Sequence, residues 1–447
     1  MNILIISTYF PPQHSIASLR VYSFAKYWAL AGNQVTVLTP RKLDEGDLNI
    51  KISSPEYHLV ELSHLKILHS LIRLKQKQLH RKSFQGSGHS KDTIHVTRKN
   101  PLNIFIKPLM FMKKRYFSLT TNRMPNVHDT WIPKAVNLGK NIIDSKDIDI
   151  IFSSYAPPAS HIIAGILAKW SGKPWVADYR DLWIEEHVYT GMWPFTVLEK
   201  YLEKKYIGNY SNIITIVSEP LANILRKKFA TPVHVIENGY DEDDYKQKFS
   251  PYFNDVKKRI VYTGTIYPGM QDPSPLFAAI NLIAKRNKIT NNDLMSDFEI
   301  LFFGRQEDWL DNLIKKYKVE PWVKYMGRVG RDDALRIQNQ ADILLFLEWE
   351  NGSVDGILTG KLFEYLAQRK PILGVGVTAK TSPGVLIEEA GVGVAVGTDI
   401  KKIVSIIEDF LITGIPFDIH PKEDVITRYT RRNQAEKLLQ LMEKYYN

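Results

Sequence analysis

The chain has 447 residues, too many for one ordinary hydrophobic core and enough for two domains of roughly 200 residues each. Hydrophobic residues make up 44% and charged residues 24%, which excludes a disordered chain, and the absence of cysteine excludes disulfides, thiolate metal sites and cysteine nucleophiles. A net charge of +11 points to acidic partners: nucleic acid, anionic lipid or phosphorylated substrates.

Residues 2–8 read as a buried parallel strand, short and branched. Pro11 and Pro12 stop that apolar run before it becomes a secretion signal. No stretch approaches the roughly 20 apolar residues of a membrane span, so the expected location is the cytoplasm. A helical pattern over 18–31, closed by Gly32, leads to a strand at 34–39, and the three form one βαβ unit. The alternation then breaks. Between Leu65 and Tyr116 cations such as Lys75, Lys77, Arg81, Lys113, Lys114 and Arg115 accumulate against a single acid, Asp92. Residues 64–80 are helical in pattern and 84–90 read as a Gly/Ser-rich loop. Leu68, Leu71 and Ile72, and later Phe105, Leu109 and Phe111, accompany the cations. The combination suits an interfacial helix pair on an anionic membrane, or a solvated helix packed by its apolar side.

Alternation resumes with a strand at 148–154, a helix at 159–171 and a strand at 175–178. Strands at 212–217 and 233–237 follow, with a helix between them. The polar stretch 241–258 reads as a linker. A second series carries strands at 259–263, 298–303, 323–326, 343–347 and 371–374. Its helices fall at 274–288, 308–316, 331–340, 361–368, 382–390 and 401–411, with a last helix over 425–446. The pattern predicts an α/β chain of two doubly wound Rossmann-like domains, with ligands at the carboxyl ends of the strands.

The densest chemistry lies in Thr359-Gly360-Lys361-Leu362-Phe363-Glu364. A glycine-bearing loop entering a helix leaves free N–H groups facing the loop, a seat for a diphosphate. Lys361 adds positive charge, and Glu364, one turn deeper, has acceptors for both hydroxyls of a ribose diol. The plainer alternative is a solvated i,i+3 ion pair on an amphipathic helix.

These residues belong to a longer resemblance. Ile3–Thr8 with Phe10-Pro11-Pro12, Val176–Trp183, Ser218-Glu219-Pro220-Leu221, Asn238-Gly239-Tyr240-Asp241, Tyr262-Thr263-Gly264 and Lys361–Ala367 resemble glycosyltransferase family 4, in family order over nearly the whole chain. The resemblance implies a GT-B fold: an acceptor domain over 1–245 with a basic insertion at 64–125, and a nucleotide-sugar domain over 255–420. A terminal helix over 421–447 would return to the first domain. It implies transfer of a sugar from a nucleoside diphosphate to a glycan or lipid-linked acceptor, with retention, in polysaccharide or glycolipid synthesis. No cofactor and no metal are implied. Gly264, Thr265, Thr359, Gly360, Lys361 and Glu364 would bind the donor.

Two departures stand out. The first Glu of the family's Glu-x7-Glu motif is Gly356 here, so neighbouring Asp355 becomes the candidate for its role. The family's cations after the glycine of the first strand in the second domain are also missing, which leaves Lys361, with Arg305 or Arg328, to meet the phosphates. Asp181 or His187 would position or deprotonate an acceptor hydroxyl, unless Asp181 merely pairs with Arg180. His14, Ser15 and Ser18 are candidates for sugar hydrogen bonds, and Asn238-Gly239 reads as a structural turn. No organised base-reading element accompanies the positive charge, so nucleic acid is not an expected partner. A non-catalytic homologue that binds a sugar nucleotide or a partner enzyme is the alternative reading.

Overall fold

The computed structural model describes residues 1–12, 16–41, 56–63, 123–185, 191, 193–246, 248–290, 294–305, 308–348 and 358–446. The predicted basic helix at 64–80 and the loop at 84–90 lie outside them. The chain divides into two compact units: Met1–Val217 with Ile224–Val235 and Leu438–Asn447, and Ser218–Asn223 with Ile236–Lys437.

In the first unit the described strands are β1 (Asn2–Ser7), β2 (Gln34–Pro40), β3 (His58–Leu62), β4 (Ile150–Tyr155), β5 (Trp175–Tyr179), β6 (Ile213–Ile216) and β7 (Val233–Val235). They pair in parallel in the order β3-β2-β1-β4-β5-β6-β7. The connecting helices are α1 (Ile16–Leu30), α2 (Ile132–Lys146), α3 (Ala159–Ser171), α4 (Phe195–Tyr210) and α5 (Glu219–Lys228). β1, β4 and β5 are buried on both faces, which is why they read as continuous apolar runs. The order reverses direction between β1 and β4, the topological switch point where such sheets leave a crevice.

The second unit contains β8 (Lys258–Thr263), β9 (Phe298–Phe303), β10 (Val323–Gly327), β11 (Ile343–Leu347), β12 (Ile372–Val375) and β13 (Gly393–Gly397). Their order is β10-β9-β8-β11-β12-β13, again all parallel, with the switch between β8 and β11. Its helices are α6 (Ser274–Thr290), α7 (Asp308–Tyr317), α8 (Arg331–Gln340), α9 (Gly360–Gln368), α10 (Ser382–Glu389), α11 (Ile400–Thr413) and α12 (Glu423–Arg428). Strand side chains alternate between two cores. Ile260, Tyr262, Ile300, Phe302, Ile343 and Leu345 face α6, α7 and α11. Val261, Leu301, Phe303, Leu344 and Phe346 face α8, α9 and α10. The doubly wound reading of both halves is correct.

Three expectations need correction. The single last helix is two, α12 and α13 (Arg431–Tyr446). Between them the backbone of Tyr429–Arg431 pairs with Tyr240, whose N–H donates to Tyr429 O at 3.1 Å while Arg431 N–H donates to Tyr240 O at 2.8 Å. A Cβ on Gly239 would lie 2.3 Å from Tyr429 O, so Gly239 is there for this close approach rather than for a turn. Second, the stretch read as a linker is partly built in: a 3-10 turn spans Glu242–Tyr245 and Asp241 is buried. Third, β3, α2, α4 and β13 were not legible as elements. α4 hides because the pattern of its first half is inverted, with Glu199 and Glu203 fully buried while Val197 and Tyr201 are exposed.

Candidate functional site

In the second unit the site forms where β8 ends and α9 begins. Gly264 has φ +117°, a conformation that favours glycine, and its N–H donates to Phe303 O at 2.7 Å. Gly304 presses against it from β9: a Cβ there would lie 2.2 Å from Gly264 O. The Tyr262 hydroxyl donates to Thr265 O at 3.2 Å, which fixes the loop leaving β8. Thr359 occupies the N-cap of α9 in an extended conformation and caps nothing with its side chain. Its Oγ1 is buried and has no partner among the described residues. The first-turn N–H groups of any helix lack intrahelical partners, so this end offers a free hydroxyl together with free amides.

Lys361 lies over this corner. Its Nζ is 3.4 Å from the centroid of the Tyr262 ring, and its terminal atoms close on Gly264. Desolvation pushes the ammonium well below its ordinary value, and the charge of Glu364 only partly offsets this. Among the described residues no carboxylate is in hydrogen-bonding contact with Lys361, and a cation held in that way against an aromatic face is poised for an anion.

Glu364 is partly buried and firmly held. Its Oε1 accepts from Arg331 Nη1 at 2.7 Å and its Oε2 from Gln338 Nε2 at 3.4 Å. Arg331 also donates to Asp244 Oδ2 at 2.6 Å, and Gln338 to Thr263 Oγ1 at 2.8 Å. Burial opposes the guanidinium charge of Arg331, but Glu364 and Asp244 together raise it above its usual range. Among the described residues, two acceptor positions on the Glu364 carboxylate remain after these bonds. Sequence reasoning missed Arg331, Gln338 and Asp244. Arg331 is the first residue of a helix and Asp244 lies in the supposed linker, and neither position carries a pattern.

In the first unit the carboxyl end of β5 is built around a buried ion pair. Asp178 accepts from Arg20 Nη2 and Nε at 2.8 and 3.1 Å, from Ser154 Oγ at 2.8 Å and from Thr215 Oγ1 at 2.8 Å. Every lone pair of the carboxylate is used, and despite burial Arg20 and the two hydroxyls hold its pKa below the usual range. Asp178 therefore stiffens the sheet. Asp181 is half exposed and pairs with Arg180 at 2.8 Å, the ion-pair alternative. Asp129 was not singled out by sequence. Its Oδ2 accepts from Asn126 N at 2.7 Å, while Oδ1 is buried without a partner among the described residues. Burial is the main cause that raises its pKa to about 7; the Asn126 N–H opposes this and Glu199 adds to it.

The predicted residues sort accordingly. Gly264, Thr265, Thr359, Gly360, Lys361 and Glu364 come together at one corner of the second unit. Arg305 is exposed just beyond β9. Ser18 is a correction: it is wholly buried within α1, a helix enclosed on nearly all sides, and it offers nothing to an acceptor. His14, Ser15, His187 and Asp355 lie outside the described residues. Among the described residues no three His, Asp or Glu side chains converge as a metal site would require.

Residues 116–244 match the model of Glycosyltransferase Family 4. Over that stretch the chain is similar to the family 4 glycosyltransferases. Solved structures agree in fold. Sucrose-phosphate synthase from Thermosynechococcus elongatus is similar with a TM-score of 0.54 at 13% identity, covering 100% of this chain and 99% of that one. A glycosyltransferase from Rickettsia africae gives 0.54 at 14% identity, covering 99% and 97%. UDP-GlcNAc 2-epimerase from Methanocaldococcus jannaschii gives 0.52 at 11% identity, covering 99% and 100%. No curated protein matches in sequence. The two parallel Rossmann-like sheets are those of the GT-B fold. The matched segment covers Asp178, Asp181 and Asp244, whereas the corner at Lys361 and Glu364 lies beyond it and rests on the geometry given above.

Proposed function

We propose that the chain transfers a sugar from a nucleoside diphosphate sugar to a glycan or lipid-linked acceptor, with retention, in polysaccharide or glycolipid synthesis. One observation carries the reading: the uncapped mouth of α9, with the free Thr359 hydroxyl, stands beside Lys361 and one turn above Glu364. The amides and Lys361 would take the diphosphate, and the open acceptor positions of Glu364 would take the ribose diol. Gly264 and Thr265 leave room for the phosphates to approach backbone. Arg305, exposed just beyond β9, would add a further phosphate contact. The reading assigns no metal or cofactor to the reaction and takes Asp355 as the group beside the transferred sugar. A cytoplasmic enzyme, peripheral at the inner membrane face through 64–116, fits the charge of that segment.

A thermal-shift screen across UDP-, GDP-, ADP- and dTDP-sugars names the donor, since a ligand bound only by the folded state raises the melting temperature. Incubating the hit with acceptor preparations then tests transfer. Sugar transfer or donor hydrolysis, lost in Asp355→Ala, supports the proposal. Full turnover by Asp355→Ala removes the role of that residue. Gly356, standing where the family has a carboxylate, favours a second reading, a non-catalytic binder of sugar nucleotides. That reading requires a thermal shift without transfer, hydrolysis or epimerised product.

A further inference from the structure

The first half of α4 is built inside out. Its two acids face the core and are fully buried. Glu199 accepts from Arg123 Nε at 3.0 Å and Nη2 at 2.9 Å, and from Trp183 Nε1 at 3.2 Å. Glu203 accepts from the Tyr179 hydroxyl at 3.0 Å and from Lys228 Nζ at 2.5 Å. Large apolar residues at and just before its start face outward: Trp193, ahead of the helix, is 79% exposed, Val197 59%, Tyr201 58% and Leu198 41%, whereas Tyr206 and Ile207 near its end are buried. Val197 and Tyr201 lie one turn apart on one face of α4, with Leu198 on their flank, and Trp193 is exposed in the turn just ahead of the helix. A soluble helix normally shows the reverse arrangement, because it is the apolar stripe that gains by leaving water.

The charges on that outward side are all of one sign. With both acids buried, Lys200 and Lys204 are exposed and Lys205 lies beside that face, its Nζ 5.3 Å from the Tyr201 ring. Aromatic rings among lysines, with no exposed carboxylate on the helix, match the boundary between acyl chains and anionic headgroups. We infer that the outer face of α4 docks on an anionic lipid bilayer, with Trp193, Val197 and Tyr201 entering the interface and the lysines meeting the headgroups. A symmetric contact with a second copy would set the same lysines against one another, which the charge pattern disfavours. Docking through α4 is independent of the transfer reaction and is read without donor or acceptor, so either proposal can fail alone.

The lack of native cysteine makes the test direct, because one introduced thiol is the sole labelling site. Full-length Val197→Cys carrying an environment-sensitive fluorophore is mixed with vesicles of phosphatidylcholine, with or without phosphatidylglycerol. Ser405→Cys, exposed on α11, is the control. The expected result is a blue-shifted, brighter emission at position 197 on the anionic vesicles only, and no change at 405. Trp193→Ser/Tyr201→Ser, both at exposed positions, should keep the wild-type circular dichroism melt. This variant should bind anionic vesicles more than about tenfold more weakly, and Lys200→Gln or Lys204→Gln about fivefold more weakly each. The proposal is overturned if the 197 label does not respond to vesicles. It is equally overturned if the double serine variant co-sediments like wild type, which would place binding elsewhere in the chain. Emission at 197 already blue-shifted in free protein would mean that this face is covered by the chain itself or by a second copy, and would overturn it too.

Discussion

At the scale of single residues, the Arg331 guanidinium decides where the Glu364 carboxylate stands, because it bridges Glu364 and Asp244 from a position mostly out of water. Arg331→Met leaves two partly buried carboxylates without their shared cation, so urea denaturation should show a loss of about 2–4 kcal/mol. Lys361 behaves in the opposite way. Its folded-state pKa is depressed by burial, so the folded protein binds that proton less readily than the unfolded chain, and the ammonium costs stability at neutral pH. Lys361→Met should therefore raise the melting temperature of the ligand-free protein while weakening nucleotide binding. Two further groups give opposite pH dependence. His161 is buried, with Nδ1 2.8 Å from Ser153 Oγ, and its pKa is lowered to about 3 by burial, with Asp178 opposing. Because Trp175 Nε1 donates to the same Ser153 Oγ, the serine proton goes to His161 Nδ1 and the ring is neutral. Between pH 6.5 and about 3 the unfolded chain binds the extra proton, so this group's contribution is lost as pH falls, by about 2 kcal/mol at pH 5. Asp129, raised to about 7, favours folding at low pH, and its contribution is lost as pH rises from 3.8 through 7. Asp129→Asn keeps an acceptor for the Asn126 N–H, and its melting temperature relative to wild type should climb between pH 5 and pH 8. His161→Gln should instead flatten the loss on the acid side.

At the scale of elements, the corner where β8 meets α9 depends on two strand ends passing with no side chain between them. Gly304→Ala would drive a methyl into the backbone carbonyl of Gly264, which cannot yield like a flexible side chain. We expect a drop of several kcal/mol, about 3, in denaturant stability, together with loss of nucleotide-induced thermal shift. How legible each element was follows from what it buries. β1, β8, β9 and β11 bury both faces and read as plain apolar runs, and α8 and α9 show an ordinary amphipathic stripe. α4 was illegible because its inward positions are Glu199 and Glu203, whose burial is licensed by Arg123 and Lys228, distant in sequence. The break between α12 and α13 was hidden for the same reason, since it is Tyr240 that pairs there. Ser18 had the right residue type in the right loop region, but the helix that carries it is enclosed on nearly all sides.

At the scale of the whole molecule, length and the alternation of strand and helix were enough for two doubly wound units, and both sheets have the order that places a crevice at a switch point. The grouping of Gly360, Lys361 and Glu364 at one candidate corner was legible because one helix turn carries all three. Its supporting shell of Arg331, Gln338 and Asp244 was not, because it joins three segments through contacts that leave no periodic trace. Among the described residues no helix is long and apolar enough to cross a membrane.

The central claim is that the mouth of α9 holds a nucleoside diphosphate, with Glu364 on its ribose. Calorimetric titration of the nucleotide selected by thermal shift into wild type, Lys361→Met and Glu364→Gln tests it most directly. The account predicts saturable 1:1 binding to wild type, weakened at least about tenfold in each variant, corresponding to one charge-assisted contact of about 1.4 kcal/mol or more. Equal affinity in all three proteins would contradict it.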